Sequence, residues 1–334
     1  MKPCILVFGL PRSGTTWIGK LFDSHPDTLY RHEPDSVRKL DMPLFPDKKE
    51  APQFREELEK FLASLPAMRS PEVVGKQPLF PKSYQSAAGV AAYRASVIFA
   101  KAASRAHRHF PSVVRPTAEG CERMRLIWKS IESQGRLGAC IEALPQARAI
   151  HLMRHPCGCV ASVLRGEATK RFSGSAPSAS DLWLLKLLLA TPTGMKHGLH
   201  AEDLARLTPE ERLAWRWVLV QEKTLADIGE YERVLTVKYE DVCADPAGMT
   251  RRMFAFAGLD FHPQTEHFVH ASTGATHKAY YSVFKNPRAA ADHWRSELPQ
   301  PVIDRILAVV RASALRKYYY EDVTASSAAT AVSA

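Results

Sequence analysis

Short apolar runs alternate along this chain with stretches in which apolar residues return every three or four positions. Residues 4–8 (CILVF) form such a run, and residues 15–23 behind it carry a helical spacing. The pattern repeats at residues 124–128 (MRLIW) with a helix expected over 134–144, and at 147–153 (ARAIHLM) with a helix opening at 157–164. A fourth run, 234–238 (VLTVK), precedes a helical stretch at 247–257. Strands that read as nearly continuous apolar runs are closed to water on both faces, as strands of parallel sheets are. Strand followed by helix, several times over, predicts a doubly wound α/β domain with a parallel sheet flanked by helices. One domain over residues 1–320 accounts for the repetition better than two.

Two stretches interrupt that rhythm. Residues 41–82 hold seven prolines (Pro43, Pro46, Pro52, Pro66, Pro71, Pro78, Pro81), which break the interval into short pieces. Residues 166–210 gather Gly, Ser and Pro around the segment 182–189, whose leucines read as a packing helix. Both are expected as helical or irregular insertions on the side where a second substrate would bind. The Ala-, Ser- and Thr-rich tail 324–334 is expected to be disordered.

Composition narrows the class. Of 334 residues, 46% are hydrophobic and 24% charged, enough apolar material for a sizeable core and unlike a disordered chain or a disulfide scaffold. The longest apolar run, 182–190, is broken by Lys186 and falls far short of the roughly 20 residues of a membrane span. Met1-Lys2-Pro3 leads directly into the first strand with no leader pattern, so the expected compartment is the cytoplasm. The six cysteines (Cys4, Cys121, Cys140, Cys157, Cys159, Cys243) lack metal-ligand spacing and are expected to be reduced and structural. Lys+Arg number 45 against 35 Asp+Glu, a net +10 that suits an anionic ligand. The basic residues are spread along the chain rather than blocked, which argues against nucleic acid as the partner.

Candidate chemistry begins where the first strand ends. Gly9-Leu10-Pro11-Arg12-Ser13-Gly14-Thr15-Thr16 spaces two glycines by four residues, the frame of a phosphate-binding loop leading into a helix. Its N–H groups and the helix N-terminus make an anion cradle. Position 15 is Thr where an ATP or GTP enzyme carries Lys, and the cation stands inside the loop at Arg12. Neither the second strand, followed by Lys129-Ser130, nor the third, followed by Arg154-His155-Pro156, supplies an Asp for Mg²⁺. The pattern favours metal-free binding of a multiply anionic nucleotide over a kinase or NTPase. Arg154 ends an apolar strand, where open α/β sheets bind ligands, and Ser162 follows eight residues later in the next helix. Taken alone, that pair reads more simply as an exposed Arg at a strand end and a helix Ser.

Together these residues resemble the sulfotransferase family that uses 3′-phosphoadenosine 5′-phosphosulfate (PAPS), at coarse order from Cys4 to about Trp294. Pro11-Arg12-Ser13-Gly14-Thr15-Thr16-Trp17 is similar to the loop that holds the 5′-phosphosulfate, with Trp17 implied as a face for the adenine. Arg154 and Ser162 match the pair that holds the 3′-phosphate. Val237-Lys238-Tyr239-Glu240-Asp241 matches the family's Tyr-Glu-Asp segment, whose Tyr lies near the adenine. Lys285-Asn286-Pro287-Arg288 resembles the late basic loop that closes over the nucleotide, although the glycine common there is missing. Arg12 in the loop, and Asp23-Ser24-His25-Pro26-Asp27 followed by Glu33-Pro34, are closest to the carbohydrate and tyrosyl-protein sulfotransferases. The C-terminal dimerisation signature of the cytosolic enzymes is not evident, so oligomeric state stays open. A soluble bacterial-type member is implied, with one sulfotransferase domain and no metal.

The resemblance implies a reaction and roles. Sulfuryl transfer to an acceptor hydroxyl proceeds through a loose transition state, in which charge builds on the leaving oxygen. Arg12 is implied to stabilise that oxygen, and the N–H groups of residues 13–16 to hold the non-bridging ones. Glu33 lies 21 residues after Arg12, the offset at which the tyrosyl class carries its catalytic Glu. His25 and His32 are rival bases, His25 reading more simply as a structural residue at a helix end. Lys129 reaches the site or is a surface lysine, and His155 orders the loop after its strand. The acceptor is a carbohydrate, a small metabolite or a peptide tyrosine. A kinase or NTPase, and a non-catalytic nucleotide- or nucleic-acid-binding module, are the competing readings.

Overall fold

The computed structural model describes residues 4–103, 124–169, 178–229, 231–274, 283 and 286–319. Cys121, Lys285 and the tail 324–334 lie outside the described residues. Among the described residues five strands form one sheet: β1 (Ile5–Gly9), β2 (Thr28–His32), β3 (Arg125–Ser130), β4 (Arg148–Met153) and β5 (Val234–Lys238). Their order is β2-β3-β1-β4-β5 and every pairing is parallel. The four apolar runs are β1, β3, β4 and β5.

The strand order reverses at β1, which lies between β3 and β4, so the crevice beyond its carboxyl end is the topological switch point. Helix α1 (Thr15–Ser24) starts at that crevice. Alternation along β1 divides the core. Ile5 and Val7 pack with α1 and the helices Pro246–Ala257 and Pro263–Gly274. Leu6 and Phe8 pack with Trp128 and the helices Arg55–Ser64 and Leu137–Ala143. A third apolar cluster joins the helices Pro156–Ala168, Pro209–Ile228 and Gln300–Arg311.

Strand β2 is the element that the apolar pattern misses. Its sequence, Thr-Leu-Tyr-Arg-His, is polar at three positions, yet all five residues are buried. Burial is tolerated because each polar side chain has a partner. Thr28 Oγ1 donates within reach of the carbonyls of Phe22 (2.9 Å) and His25 (2.8 Å). The Arg31 guanidinium donates to the carbonyls of Leu65 (2.7 Å) and Pro66 (2.9 Å), which belong to the proline-rich insertion. That insertion is cut into short helices, Arg55–Ser64 and Pro71–Val74 among them, as its prolines imply. In the second insertion the helix Leu182–Leu189 buries Leu185, Leu188 and Leu189 against the core and leaves Trp183 60% exposed. Cys4, Cys140, Cys157, Cys159 and Cys243 are free and buried. Among the described residues no helix is long and apolar enough to cross a membrane.

Candidate active site

The loop after β1 is held in shape by two glycines and one strained arginine. A Cβ at Gly9 would stand 2.7 Å from Ser13 Oγ and 2.8 Å from the Leu152 carbonyl, so only glycine fits between β1 and β4. Gly14 has φ +96°, and a Cβ there would collide with the Tyr239 ring. Arg12 has φ 72°, in the left-handed region that L residues seldom occupy. Ser13 is fully buried, its hydroxyl donating to the Leu10 carbonyl (2.7 Å). Thr15 is buried and Thr16 half-buried at the start of α1, whose first N–H groups have no intrahelical acceptor.

Arg154 and Ser162 converge on this loop from more than 140 positions away. Arg12 Nε donates to Ser162 Oγ (2.9 Å). Arg154 donates through Nη1 to the Arg12 carbonyl (2.9 Å) and through Nη2 to the Ala290 carbonyl (2.8 Å). Its guanidinium lies 4.7 Å from the centre of the Tyr239 ring, and its Nε is buried without a hydrogen-bond partner. An orphaned guanidinium N–H beside a glycine-walled cradle is a fit for an anionic group. Arg288, two residues from Ala290 on the helix Pro287–Asp292, is exposed at the same end.

Tyr239 is buried between Gly14 and Arg154, and its ring meets Trp17 edge-on at 6.1 Å. Trp17 itself is 8% exposed, packed in the core with its indole N–H donating to Ser272 Oγ (3.2 Å). Glu240, unassigned by sequence reasoning, accepts the backbone N–H of His155 at Oε1 (2.9 Å) and the Tyr319 hydroxyl at Oε2 (3.2 Å). It ties the start of the helix Pro156–Ala168 to the short helix Tyr239–Ala244 that follows β5. His155 stacks on Trp294 at 4.4 Å, and burial pushes its imidazole down to about 3, so the ring stays neutral.

Across the crevice, β2 and β3 bring a second group together. The register pairs His32 with Lys129, and the Glu33 N–H donates to the Lys129 carbonyl (2.8 Å). Glu33 leaves the strand at φ 48° and forms an ion pair with Lys129 Nζ through Oε1. The Lys129 side chain is 1% exposed and that of Glu33 24% exposed. Burial lowers the proton affinity of Lys129, with the Glu33 charge opposing the effect. His32 Nε2 lies 3.6 Å from Glu33 Oε1. His25, the other rival base, is at the opposite end of α1, roughly 15 Å of helix from the loop. There its Nδ1 accepts the Asp27 N–H (3.1 Å). Lys76, which sequence reasoning did not single out, comes from the proline-rich insertion. Its proton affinity is lowered chiefly by burial and also by the charges of Lys129 and Arg12, with Glu33 opposing them.

Comparison with known proteins gives one picture. A family model described as Sulfotransferase family matches residues 3–263. Carbohydrate sulfotransferase 5 of Homo sapiens is 25% identical over 354 residues, spanning 96% of this chain and 78% of that protein. Carbohydrate sulfotransferase 6 of Homo sapiens is 24% identical over 356 residues, with 96% of this chain and 81% of that protein covered. Among solved structures, the sulfotransferase domain from the Synechococcus PCC 7002 olefin synthase covers 93% of this chain and 94% of its own at 18% identity, with a TM-score of 0.45.

Proposed function

Since this chain belongs to the sulfotransferase family, we propose that it moves a sulfuryl group from PAPS to a hydroxyl of an acceptor, with Glu33 as general base and Arg12 at the leaving oxygen. Carbohydrate hydroxyls are the first acceptors to test, because the relatives named above are carbohydrate sulfotransferases. The observation that carries the reading is the convergence of Arg154 and Ser162 on Arg12.

PAPS supplies the sulfuryl group and a nucleotide leaving group. The residues supply the rest. The Ser13 N–H closes the loop on the Leu10 carbonyl (3.1 Å), and the N–H groups of residues 14–16 bind the 5′ anion at the helix N-terminus. Arg12 adds a fixed cation where charge develops in the transition state, the arrangement that lowers such barriers most. Arg154, with its unpartnered Nε, and Ser162 take the 3′-phosphate. Tyr239 and Trp17 border the nucleotide side, and Arg288, exposed on the helix Pro287–Asp292, adds a cation there. Glu33 faces the loop from β2 and takes the acceptor proton, while Lys129 holds one of its oxygens.

The test is calorimetric titration with adenosine 3′,5′-bisphosphate beside ADP and Mg-ATP. Binding that needs the 3′-phosphate and no metal supports the reading. Binding of Mg-ATP alone would return the loop to a kinase or NTPase role.

A further inference from the structure

Strand β2 ends in three residues that lead from the core to the crevice. Tyr30 and His32 are two positions apart and share a face of the strand. The Tyr30 hydroxyl lies 2.7 Å from His32 Nδ1, and both residues are buried. Had β2 continued, Glu33 would point to the opposite face. Its left-handed backbone turns the carboxylate back, so that His32 Nε2 faces Oε1 at 3.6 Å. Among the described residues, Arg12 and Glu33 are the two non-glycine residues with positive φ, a strained conformation that concentrates at working sites.

The surroundings decide where His32 carries its proton. If Nδ1 were protonated, the bare lone pair of Nε2 would face a carboxylate oxygen. With the proton on Nε2, the ring offers an N–H to Glu33 and an acceptor at Nδ1 to the Tyr30 hydroxyl. A second proton is disfavoured by burial and by four ammonium groups: Lys129 on β3, Lys76 in the proline-rich insertion, Lys20 on α1 and Lys101 on the helix Ala87–Ala103. Glu33 is the carboxylate set against them at this ring, and Asp23 and Glu33 are the acidic groups felt by Tyr30. His32 is therefore a neutral ring with one orientation.

We propose that Tyr30 and His32 are positioning residues for Glu33: the carboxylate facing Nε2 selects the Nε2–H tautomer, the phenol supports it by donating to Nδ1, and that N–H together with Lys129 holds Oε1, leaving Oε2 for the acceptor hydroxyl. The proposal rests on the reading of Glu33 as the base. The proton balance is simple: the acceptor proton goes to Glu33 and later to water, while Tyr30 and His32 keep their own. At 3.6 Å the N–H···O contact is long, and catalytic hydrogen bonds of this kind tighten when substrates bind.

The tautomer is measurable without any substrate. In protein carrying ¹⁵N-labelled histidine, His32 is assigned by the signal lost in His32→Gln, and its two ring nitrogens report the protonated one. The expected result is an Nε2–H ring that stays neutral between pH 5 and 8. Tyr30→Phe, and separately Glu33→Gln, should each lower the ratio of Nε2–H to Nδ1–H by about fivefold, the shift one ordinary hydrogen bond gives. Both variants should bind adenosine 3′,5′-bisphosphate as the parent does. An Nδ1–H ring, a ring that titrates in that range, or a ratio indifferent to both substitutions overturns the proposal. Loss of nucleotide binding by the parent protein would instead overturn the functional reading.

Discussion

Lys129 and Glu33 stand 96 positions apart in sequence and form an ion pair at the ends of neighbouring strands, the lysine buried and the carboxylate open to the crevice. Removing one partner of such a pair leaves the other charge uncompensated, at a cost that falls as that charge is more exposed. Lys129→Met is expected to cost about 1–3 kcal/mol of stability, less than for a fully buried pair because the Glu33 carboxylate is 24% exposed. Turnover should fall about 100-fold, the usual loss on removing a group aligned with the reacting centre. Urea melts beside steady-state rates check both halves. A large loss of stability with unchanged turnover would make Lys129 a purely structural residue.

Glu33→Gln keeps the shape of the site and removes the base. Nucleotide affinity should hold while kcat drops by roughly 10²–10⁴-fold. Transfer of labelled sulfate at near-parental rate would show that another group takes the proton.

Arg154→Ala removes the guanidinium that bridges the loop and the Ala290 carbonyl. Affinity for adenosine 3′,5′-bisphosphate should fall by roughly 10- to 100-fold, the worth of one or two charge-assisted hydrogen bonds. ADP, which lacks the 3′-phosphate, should lose only a fewfold. Equal losses for the two nucleotides in parallel titrations would refute the 3′-phosphate role.

Gly14→Ala forces a Cβ into the Tyr239 ring and into a backbone at φ +96°. The strain alone is of order 1–3 kcal/mol. Chemical denaturation should show a loss at least that large, accompanied by weaker nucleotide binding. A variant as stable as the parent would mean that Tyr239 moves freely, contrary to its packing against Arg154.

His151 sits fully buried on β4, its Nε2 placed 2.9 Å from Gln221 Oε1 and 3.1 Å from Gln134 Nε2. Burial lowers its imidazole from 6.5 to about 4, while the Gln221 hydrogen bond acts in the opposite direction. Between those values the unfolded chain binds a proton that the folded chain does not, so unfolding free energy falls as pH falls. The contribution is complete above pH 6.5 and is lost progressively down to about pH 4. Over that window it amounts to roughly 3 kcal/mol. His155, lowered to about 3, adds to the same slope. Denaturation at a series of pH values should show the decline, and His151→Gln should flatten it. An unchanged slope in the variant would show that other groups carry the acid sensitivity.

Much of the scaffold was legible along the chain. β1, β3 and β4 announce themselves as apolar runs because an interior parallel strand is buried on both faces, and β5 is equally apolar although, as an edge strand, it is mostly only partly buried. The phosphate-loop frame is equally plain, since its glycines answer to local needs: a close approach at Gly9 and a positive φ at Gly14. β2 was not legible. Its Arg31 is buried only because the carbonyls of Leu65 and Pro66 receive the guanidinium, and those partners lie 34 and 35 positions away, outside any local window of sequence.

The sequence by itself determined the strand–loop–helix frame, the cation placed inside the loop at Arg12, and the family likeness those residues carry. Each is a property of neighbours in the chain, set by hydrophobic period or by backbone conformation. Tertiary structure alone decided which distant groups meet. Parallel pairing of β2 with β3 puts His32 opposite Lys129 and so sets Glu33 beside its ammonium. The pairing of β1 with β4 brings Arg154 to the Arg12 carbonyl and Ser162 to its side chain. Register between strands depends on the whole hydrophobic core, in which a one-residue slip would turn every side chain to the other face.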